Sequence, residues 1–285
     1  MKNLDNAARA AAAEPGETRS PAELLHHYQV EKELAARLRH STREERRTLY
    51  TAVYDELVRR VEARLSDRDA GVHAETQLRL LDRYLNKDVL FLDVGAGDCS
   101  LALAVAEQAR FVHAVEVSPA VVADAPKRDN LQLHLSDGIS IPLSPCSVTL
   151  AHSNQVLEHI HADDALEHMR GVYEALAFDG RFVCVTPNRL TGPADISRHF
   201  DSETTGFHLR EYTVTELATL MRQAGFSPEV WTTRKGVSVR LPLLLIRAVE
   251  SIVERLPRSL VWRLGRKLPL RVLLGSYVVG VKLSR

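Results

Sequence analysis

The chain has 285 residues, with 37 Lys plus Arg against 37 Asp plus Glu, a balance that gives no whole-protein attraction to phosphate backbones and sets nucleic acid aside as a partner. Its length allows one large domain with additions. Three widely spaced cysteines (Cys99, Cys146 and Cys184), in no Cys-x-x-Cys pair, exclude a disulfide framework and a structural zinc site, and with no signal peptide or spanning helix legible the expected compartment is the cytoplasm.

Residues 1–19 carry no large apolar side chain after Leu4 and are expected to be a disordered tail. Ser20-Pro21-Ala22-Glu23 and Ser41-Thr42-Arg43-Glu44 each place a hydroxyl three residues before a glutamate, the reciprocal pattern that caps a helix start. In the second helix Leu49, Val53 and Leu57 form a stripe beside Tyr50, Tyr54, Val58, Val61 and Leu65. A third helix, from about Ala74 to Leu85, completes an N-terminal helical cap over 20–87.

From residue 88 onward short apolar runs alternate with helical segments, as in a mostly parallel sheet with crossover helices. The expected strands are Val89–Val94, Phe111–Glu116, Leu131–Leu135, Ser147–Ser153, Arg181–Thr186, Ser227–Thr232 and Gly275–Lys282, a seven-stranded sheet. Leu166, Met169, Tyr173 and Leu176 mark one helix, stopped by Asp179-Gly180. Thr213-Val214-Thr215-Glu216 caps another, ended by Gly225. The aperiodic stretch within 188–212, with Gly192-Pro193 and Gly206, reads as a lid or binding loop. Residues 240–271 form a helical insertion before the last strand, rich in Leu and Arg with only Glu250 and Glu254 acidic. Arginines on such helices solvate a face, or they meet a membrane surface at its interface.

The chemistry centres on Asp93-Val94-Gly95-Ala96-Gly97-Asp98-Cys99-Ser100, which lies between a strand and a helix. Glycines there let the backbone turn tightly and approach a ligand, and Glu116, about 20 residues later at the end of the second strand, can hold ribose hydroxyls. A nicotinamide dehydrogenase shares this plan. Ser100 in the slot of its third glycine, and Glu158-His159 after the fourth strand, argue against it.

Taken with His113-Ala114-Val115-Glu116-Val117-Ser118-Pro119, Ser136-Asp137-Gly138, Gln155-Val156-Leu157-Glu158-His159 and Val185-Thr186-Pro187-Asn188, the motif resembles the class I S-adenosylmethionine-dependent methyltransferases from about Asp88 to Phe226. The resemblance implies a Rossmann-like α/β domain over 88–285 with S-adenosyl-L-methionine as methyl donor. It further implies that Asp93 helps hold the amino-acid end of the cofactor, that Gly95 and Gly97 pass close to it, that Glu116 with Val117 beside it takes the ribose, that Asp137 and Gly138 flank the adenine, and that Asn154 and Gln155 neighbour the methionine part. The chain departs from the family pattern in two places, with Cys99 or Ser100 for the third glycine and Thr149 where an aspartate often opens the fourth strand.

A small-molecule acceptor is expected, reached through a hydroxyl oxygen of a glycosyl, polyketide-like or other secondary metabolite. An alcohol needs a base, and His159 is the first candidate because it follows a strand end where reacting groups collect, with His208 second and His161, His199 and Asp201 nearby. The Glu158-His159 pair can equally shape its loop, and the segment from His208 to Tyr212 can be structural. No metal is expected, because Gln155 stands where some quinone-pathway relatives have an acid three residues before the Glu-His pair. Two other functions fit less of the sequence: a quinone or lipid methyltransferase making peripheral membrane contact through 240–271, and a non-catalytic cofactor-binding or assembly protein.

Overall fold

The computed structural model describes residues 2–61, 67–123, 125–234, 236–258, 260–261 and 270–284. The apolar runs after residue 88 pair into one sheet: β1 (Leu90–Val94), β2 (Phe111–Glu116), β3 (Leu131–Leu135), β4 (Val148–Asn154), β5 (Leu176–Val185), β6 (Ser227–Arg234), β7 (Val237–Leu241) and β8 (Tyr277–Val281). Their spatial order is β3-β2-β1-β4-β5-β8-β6-β7. β1 to β5 are parallel, β8 runs antiparallel between β5 and β6, and β7 is antiparallel to β6. The strand order reverses between β1 and β4, so the crevice for a ligand lies beyond the carboxyl ends of those two strands.

Period-two alternation divides the sheet between two apolar layers. Leu92, Val94, Val115 and Ala151 face α6 (Ala162–Ala175) and α7 (Val214–Ala224), where Met169, Val172, Leu217 and Met221 are buried. Phe91, Val112, Ala114 and Leu150 face α5 (Ser100–Ala106) and α4 (Asp67–Leu81), covered by Leu101, Val105 and Leu81. Each such side chain contributes ~1.5–3 kcal/mol on burial, more than the ~0–1 kcal/mol of a half-exposed ion pair. The two layers therefore hold the sheet.

Over the crevice lie α2 (Pro21–Arg39) and α3 (Arg43–Val61), whose Leu34, Leu38, Tyr50 and Val53 pack on Ile139 and Phe207. Ser20 and Glu23 form the expected capping box of α2. The box of α3 is one residue later than expected. Thr42 exchanges hydrogen bonds with Glu45, while the Ser41 hydroxyl turns back to the Leu38 carbonyl and serves the end of α2.

Several other expectations need correction. Residues Lys2–Ala12 form a helix, α1, rather than part of a disordered tail: Leu4, Ala8 and Ala11 recur at helical spacing, and Ala8 and Ala11 are buried, Ala11 beside Leu24 and Tyr28. Alanine is a strong helix former, and its small side chain allows close approach without a large apolar residue. α4 starts before Ala74 and ends in a 3-10 turn, Asp82–Tyr84. Among the described residues the sheet has eight strands rather than seven. The extra one, β7, alternates Val237, Val239 and Leu241 with Ser238 and Arg240 and adds to the edge of β6. β5 begins at Leu176, so Asp179-Gly180 interrupts its pairing as an irregularity instead of preceding it. Of the basic insertion, α8 (Leu243–Val253) and α9 (Leu270–Leu274) are described, whereas Arg263, Arg266 and Lys267 lie outside the described residues.

Arg46 fastens the cap to the domain. Its guanidinium donates from Nε and Nη2 to the two carboxylate oxygens of Asp164, at 2.5 and 2.9 Å, with both side chains out of solvent. Arg46→Ala removes both charged donors of that buried carboxylate, leaving it the Tyr50 hydroxyl and the Arg43 guanidinium 3.9 Å away, and is expected to lower the unfolding free energy by about 3–5 kcal/mol. Arg43→Ala, at the exposed neighbour, should cost less than ~1 kcal/mol. Urea denaturation of the two variants checks the contrast.

Candidate active site

The glycine loop leaves β1 with Gly95 at φ 70°, Gly97 at φ 55° and Cys99 at φ 64°. All three occupy the left-handed region, so Cys99 adopts the backbone of the glycine it replaces. Burial pushes its thiol up to about 12, which leaves it a packing group. The amides of Gly95 and Ala96 donate to the Val115 carbonyl at 2.8 and 3.0 Å. A Cβ on Gly95 would lie 2.3 Å from Cγ2 of Val156, so the loops after β1 and β4 touch here.

Glu116 holds the loop from the other side. Its Oε2 accepts from the Gly97 amide at 2.9 Å, and its Oε1 accepts from Val117 and Ser118 at 2.7 and 3.2 Å. Asp137 accepts from the amides of Ile139 and Ser140 and from Arg47 of α3. Burial alone would raise its pKa, and those donors outweigh it, so the carboxyl sits below its usual range. Gly138, at φ 83°, lets α3 approach: a Cβ there would stand 2.9 Å from Tyr50.

Asp93 is 3% exposed, and Nδ1 of the His152 imidazole lies 3.6 Å from its Oδ1. His152 is the Cα neighbour of Asp93 across the β1–β4 ladder, is wholly buried, and has no hydrogen-bond partner on either ring nitrogen. Sequence reasoning passed over His152. The available signal was a histidine in an apolar strand at the position that faces the acid once the register is known. A buried carboxylate with only this imidazole near it suits an ammonium group.

Gly95, Glu116, Val117, Gly138, Gln155 and His159 all line one cavity of about 140 Å³, roofed by Tyr50 and Tyr54. Asp93, Gly97, Asp137, Asn154 and His208 do not line it; they lie at its margins or behind its walls. A larger cavity, of about 680 Å³, lies between Arg189–Pro193 and Val253–Leu256, and none of the expected cofactor residues borders it. The smaller cavity is therefore the candidate site.

His159 sits in the 3-10 turn Leu157–His159, with Nδ1 3.1 Å from the Phe207 carbonyl and its ring edge-on to His208, centroids 4.9 Å apart. Burial pushes its pKa down to about 3, so the ring is neutral. Glu158, buried, rises to about 7 for the same reason. Burial lowers His208, but its 2.8 Å contact with Glu211 and the charge of Glu158 prevail, leaving it raised. The other candidates have structural duties. His161 caps α6, Asp201 accepts from Tyr28, and His199 lies 3.4 Å from Glu14.

The segment 188–212 is a strap rather than a free loop. Arg39 donates to the carbonyls of Thr204, Thr205, Gly206 and His208, and Glu31 accepts from the Phe207 amide. Phe207 is thereby held against Tyr54, rings 4.9 Å apart, at the back of the cavity.

A parallel sheet reversing at β1 and β4, a left-handed glycine turn at that point, a carboxylate ending β2 and a buried acid beneath the turn define the class I methyltransferase architecture, whose cofactor is S-adenosylmethionine. The chain belongs to a methyltransferase family: the family model described as "Methyltransferase domain" matches residues 59–229. A probable S-adenosylmethionine-dependent methyltransferase of Mycolicibacterium smegmatis is 30% identical over 158 residues, 55% of this chain and 58% of that protein. One from Mycobacterium tuberculosis is 32% identical over 158 residues, 54% of each. The chain thus spans a little over half the length of these curated relatives. Among solved structures it is similar to the 1,6-didemethyltoxoflavin-N1-methyltransferase of Burkholderia thailandensis (TM-score 0.53, 18% identity, 86% of this chain and 92% of that one). It is also similar to phosphoethanolamine N-methyltransferase 1 of Haemonchus contortus (TM-score 0.55, 14% identity, 86% and 51%). At these identities the structures speak for the fold.

The residues fit the cofactor: Asp93 offers a buried negative charge for its ammonium, Glu116 a carboxylate at the ribose position, and Gly97 has nothing within 4 Å of where a Cβ would stand. Glu116→Ala should weaken binding of S-adenosylhomocysteine by about 1–3 kcal/mol through lost charged hydrogen bonds. Gly95→Ala should abolish it, because the methyl group collides with Val156. Calorimetric titration measures both.

Proposed function

We propose that this chain transfers a methyl group from S-adenosylmethionine to a hydroxyl oxygen of a small metabolite, with His159 beside the acceptor. One observation carries the reading: a cavity of about 140 Å³ beneath Tyr50 and Tyr54 brings His159 together with Gly95, Glu116 and Gly138. The balanced charge of the chain agrees, since it gives no attraction to nucleic acid.

The bound cofactor supplies an electrophilic methyl group, and transfer needs the acceptor oxygen in line behind it. The protein's part is alignment and exclusion of water. Val156 and Ile160 make an apolar wall, and Tyr54, partly buried, has its hydroxyl held neutral well above the usual range by desolvation. Because Nδ1 of His159 faces a carbonyl that can only accept, the ring hydrogen sits there and Nε2 keeps a lone pair to receive the acceptor hydroxyl. Asp93 would hold the amino-acid end of the cofactor and Glu116 its ribose, with Asp137 and Gly138 flanking the adenine. Asn154 and Gln155 lie near the methionine part.

A quinone or lipid acceptor at a membrane surface is a second reading, favoured by the outward face of α8. Leu244, Leu245 and Ile252 are exposed there together with Arg247, an apolar and basic pairing suited to an anionic interface. Among the described residues no helix is long and apolar enough to cross a membrane.

His159→Ala should reduce turnover by at least ~10-fold, within the range removal of a positioned group brings, while calorimetry shows unchanged cofactor affinity. Activity is found by screening metabolite extracts for a gain of one methyl mass, and full activity of the variant would remove His159 from the reaction. Leu244→Glu separates the two acceptor classes: co-sedimentation of the wild type with anionic liposomes, lost in the variant, would favour the membrane reading.

A further inference from the structure

In the ladder between β1 and β4 Phe91 pairs with Leu150 and Asp93 with His152, so the acid and the imidazole share the sheet face packed under α5. Their other register neighbours, Ala114 on β2 and Val183 on β5, belong to the same apolar layer. The His152 ring is out of solvent, and neither of its nitrogens has a hydrogen-bond partner. A buried polar group left in this way costs stability that a leucine at the same place would not. Asp93 likewise accepts no hydrogen bond among the described residues, and Nδ1 of His152 stands 3.6 Å from its Oδ1. Two unsatisfied polar groups facing each other in an apolar layer point to a third group that completes them.

We propose that His152 is a positioning residue for the amino-acid end of the cofactor, acting through Asp93. A neutral imidazole carries one N–H and one lone pair, and a carboxylate only accepts, so the hydrogen belongs on Nδ1. Closing the gap by roughly half an ångström gives a hydrogen bond of ordinary length, and contacts of this kind tighten when a site fills. With Oδ1 held by the ring, Oδ2 is left for the ammonium. Histidine suits the task because its neutral form orients the carboxylate without cancelling its charge. A lysine or arginine there would neutralise Asp93 and remove the attraction, and an imidazolium would do the same. The ring therefore stays uncharged in the complex.

His152 does not line the cavity, so it touches neither the cofactor nor the acceptor and works only through the acid. This role rests on the cofactor occupying the crevice, but not on the hydroxyl acceptor proposed above.

The test is calorimetric titration of the full chain with two ligands. One is S-adenosylhomocysteine; the other is 5′-deoxy-5′-methylthioadenosine, which keeps the nucleoside and the sulfur but lacks the amino-acid end. His152→Leu should weaken the first by at least ~10-fold, the scale of a lost hydrogen bond to a charged group, and leave the second unchanged. His152→Asn, whose amide nitrogen reaches the place of Nδ1, should recover most of the loss. In an Asp93→Asn background the leucine substitution should have no further effect, as expected of two residues acting as one unit. In the wild-type complex the ring nitrogen resonances of His152, identified by their absence from the variant, should show the hydrogen on Nδ1 and the lone pair on Nε2. Equal loss for both ligands marks a packing role and overturns the positioning role, as does an imidazolium or an Nε2-protonated ring in the complex. Circular dichroism checks that the variants fold, and the wild-type spectrum decides the matter if His152→Leu does not. S-adenosylhomocysteine bound alike by wild type and His152→Leu removes the role of His152 alone, whereas a wild type that binds neither ligand removes the cofactor reading with it.

Discussion

The Glu116 carboxylate, accepting three backbone amides from Gly97, Val117 and Ser118, is the contact on which the site depends. A buried ion accepting several N–H groups at once is stabilised without a countercharge. It thereby fixes the glycine turn against the end of β2 and sets the width of the crevice. The β1–β2 ladder delivers Glu116 to that point, since Val94 pairs with Val115 and the chain reaches the acid one residue later. Its role is structural first, because the same oxygens that shape the loop face the ligand position.

The lid side is built differently. α2 and α3 rest on the domain through Arg46–Asp164, Arg47–Asp137 and the tyrosine hydroxyl of Tyr50, which donates to Asp164 and accepts from the His161 amide. The strap is in turn tied to α2 by Arg39 and Glu31. Cap, strap and the turn after β4 therefore meet as one wall around His159. With Tyr50 lying on Gly138, the helix that roofs the cavity also covers the loop after β3.

Much of this was legible in the residues. β1 to β3 and the α7 capping box declare themselves because short segments rich in Leu, Val and Phe and Thr-x-x-Glu spacing are local signals. The glycine turn and Glu116 could be placed for the same reason. Features arising from distant partners were hidden. The ring of His152 acquires meaning only once β1 lies beside β4, some 59 positions apart. His208 joins Glu158 and His159 only because the strap returns through Arg39 and Glu31. Strand β7 was concealed by Arg240, whose charge assigned its end to the basic segment, although the residue stands on the edge of the sheet with its charge facing Glu229. Alanine's weak hydrophobicity disguised α1 in the same way.

The position of β8 bears on how the molecule is made. It is the latest of the eight described strands in chain order, yet it occupies an interior place between β5 and β6, all five of its residues buried. Until it arrives, the nascent sheet is split and presents two raw edges capable of pairing with other chains. Lys282 follows at once, its ammonium donating to the carbonyls of Tyr173 and Leu176 at the end of α6, so the closing strand also neutralises the negative pole of that helix. The parallel strands that bear the crevice and the antiparallel β6–β7 pair are thus joined into one sheet only through β8.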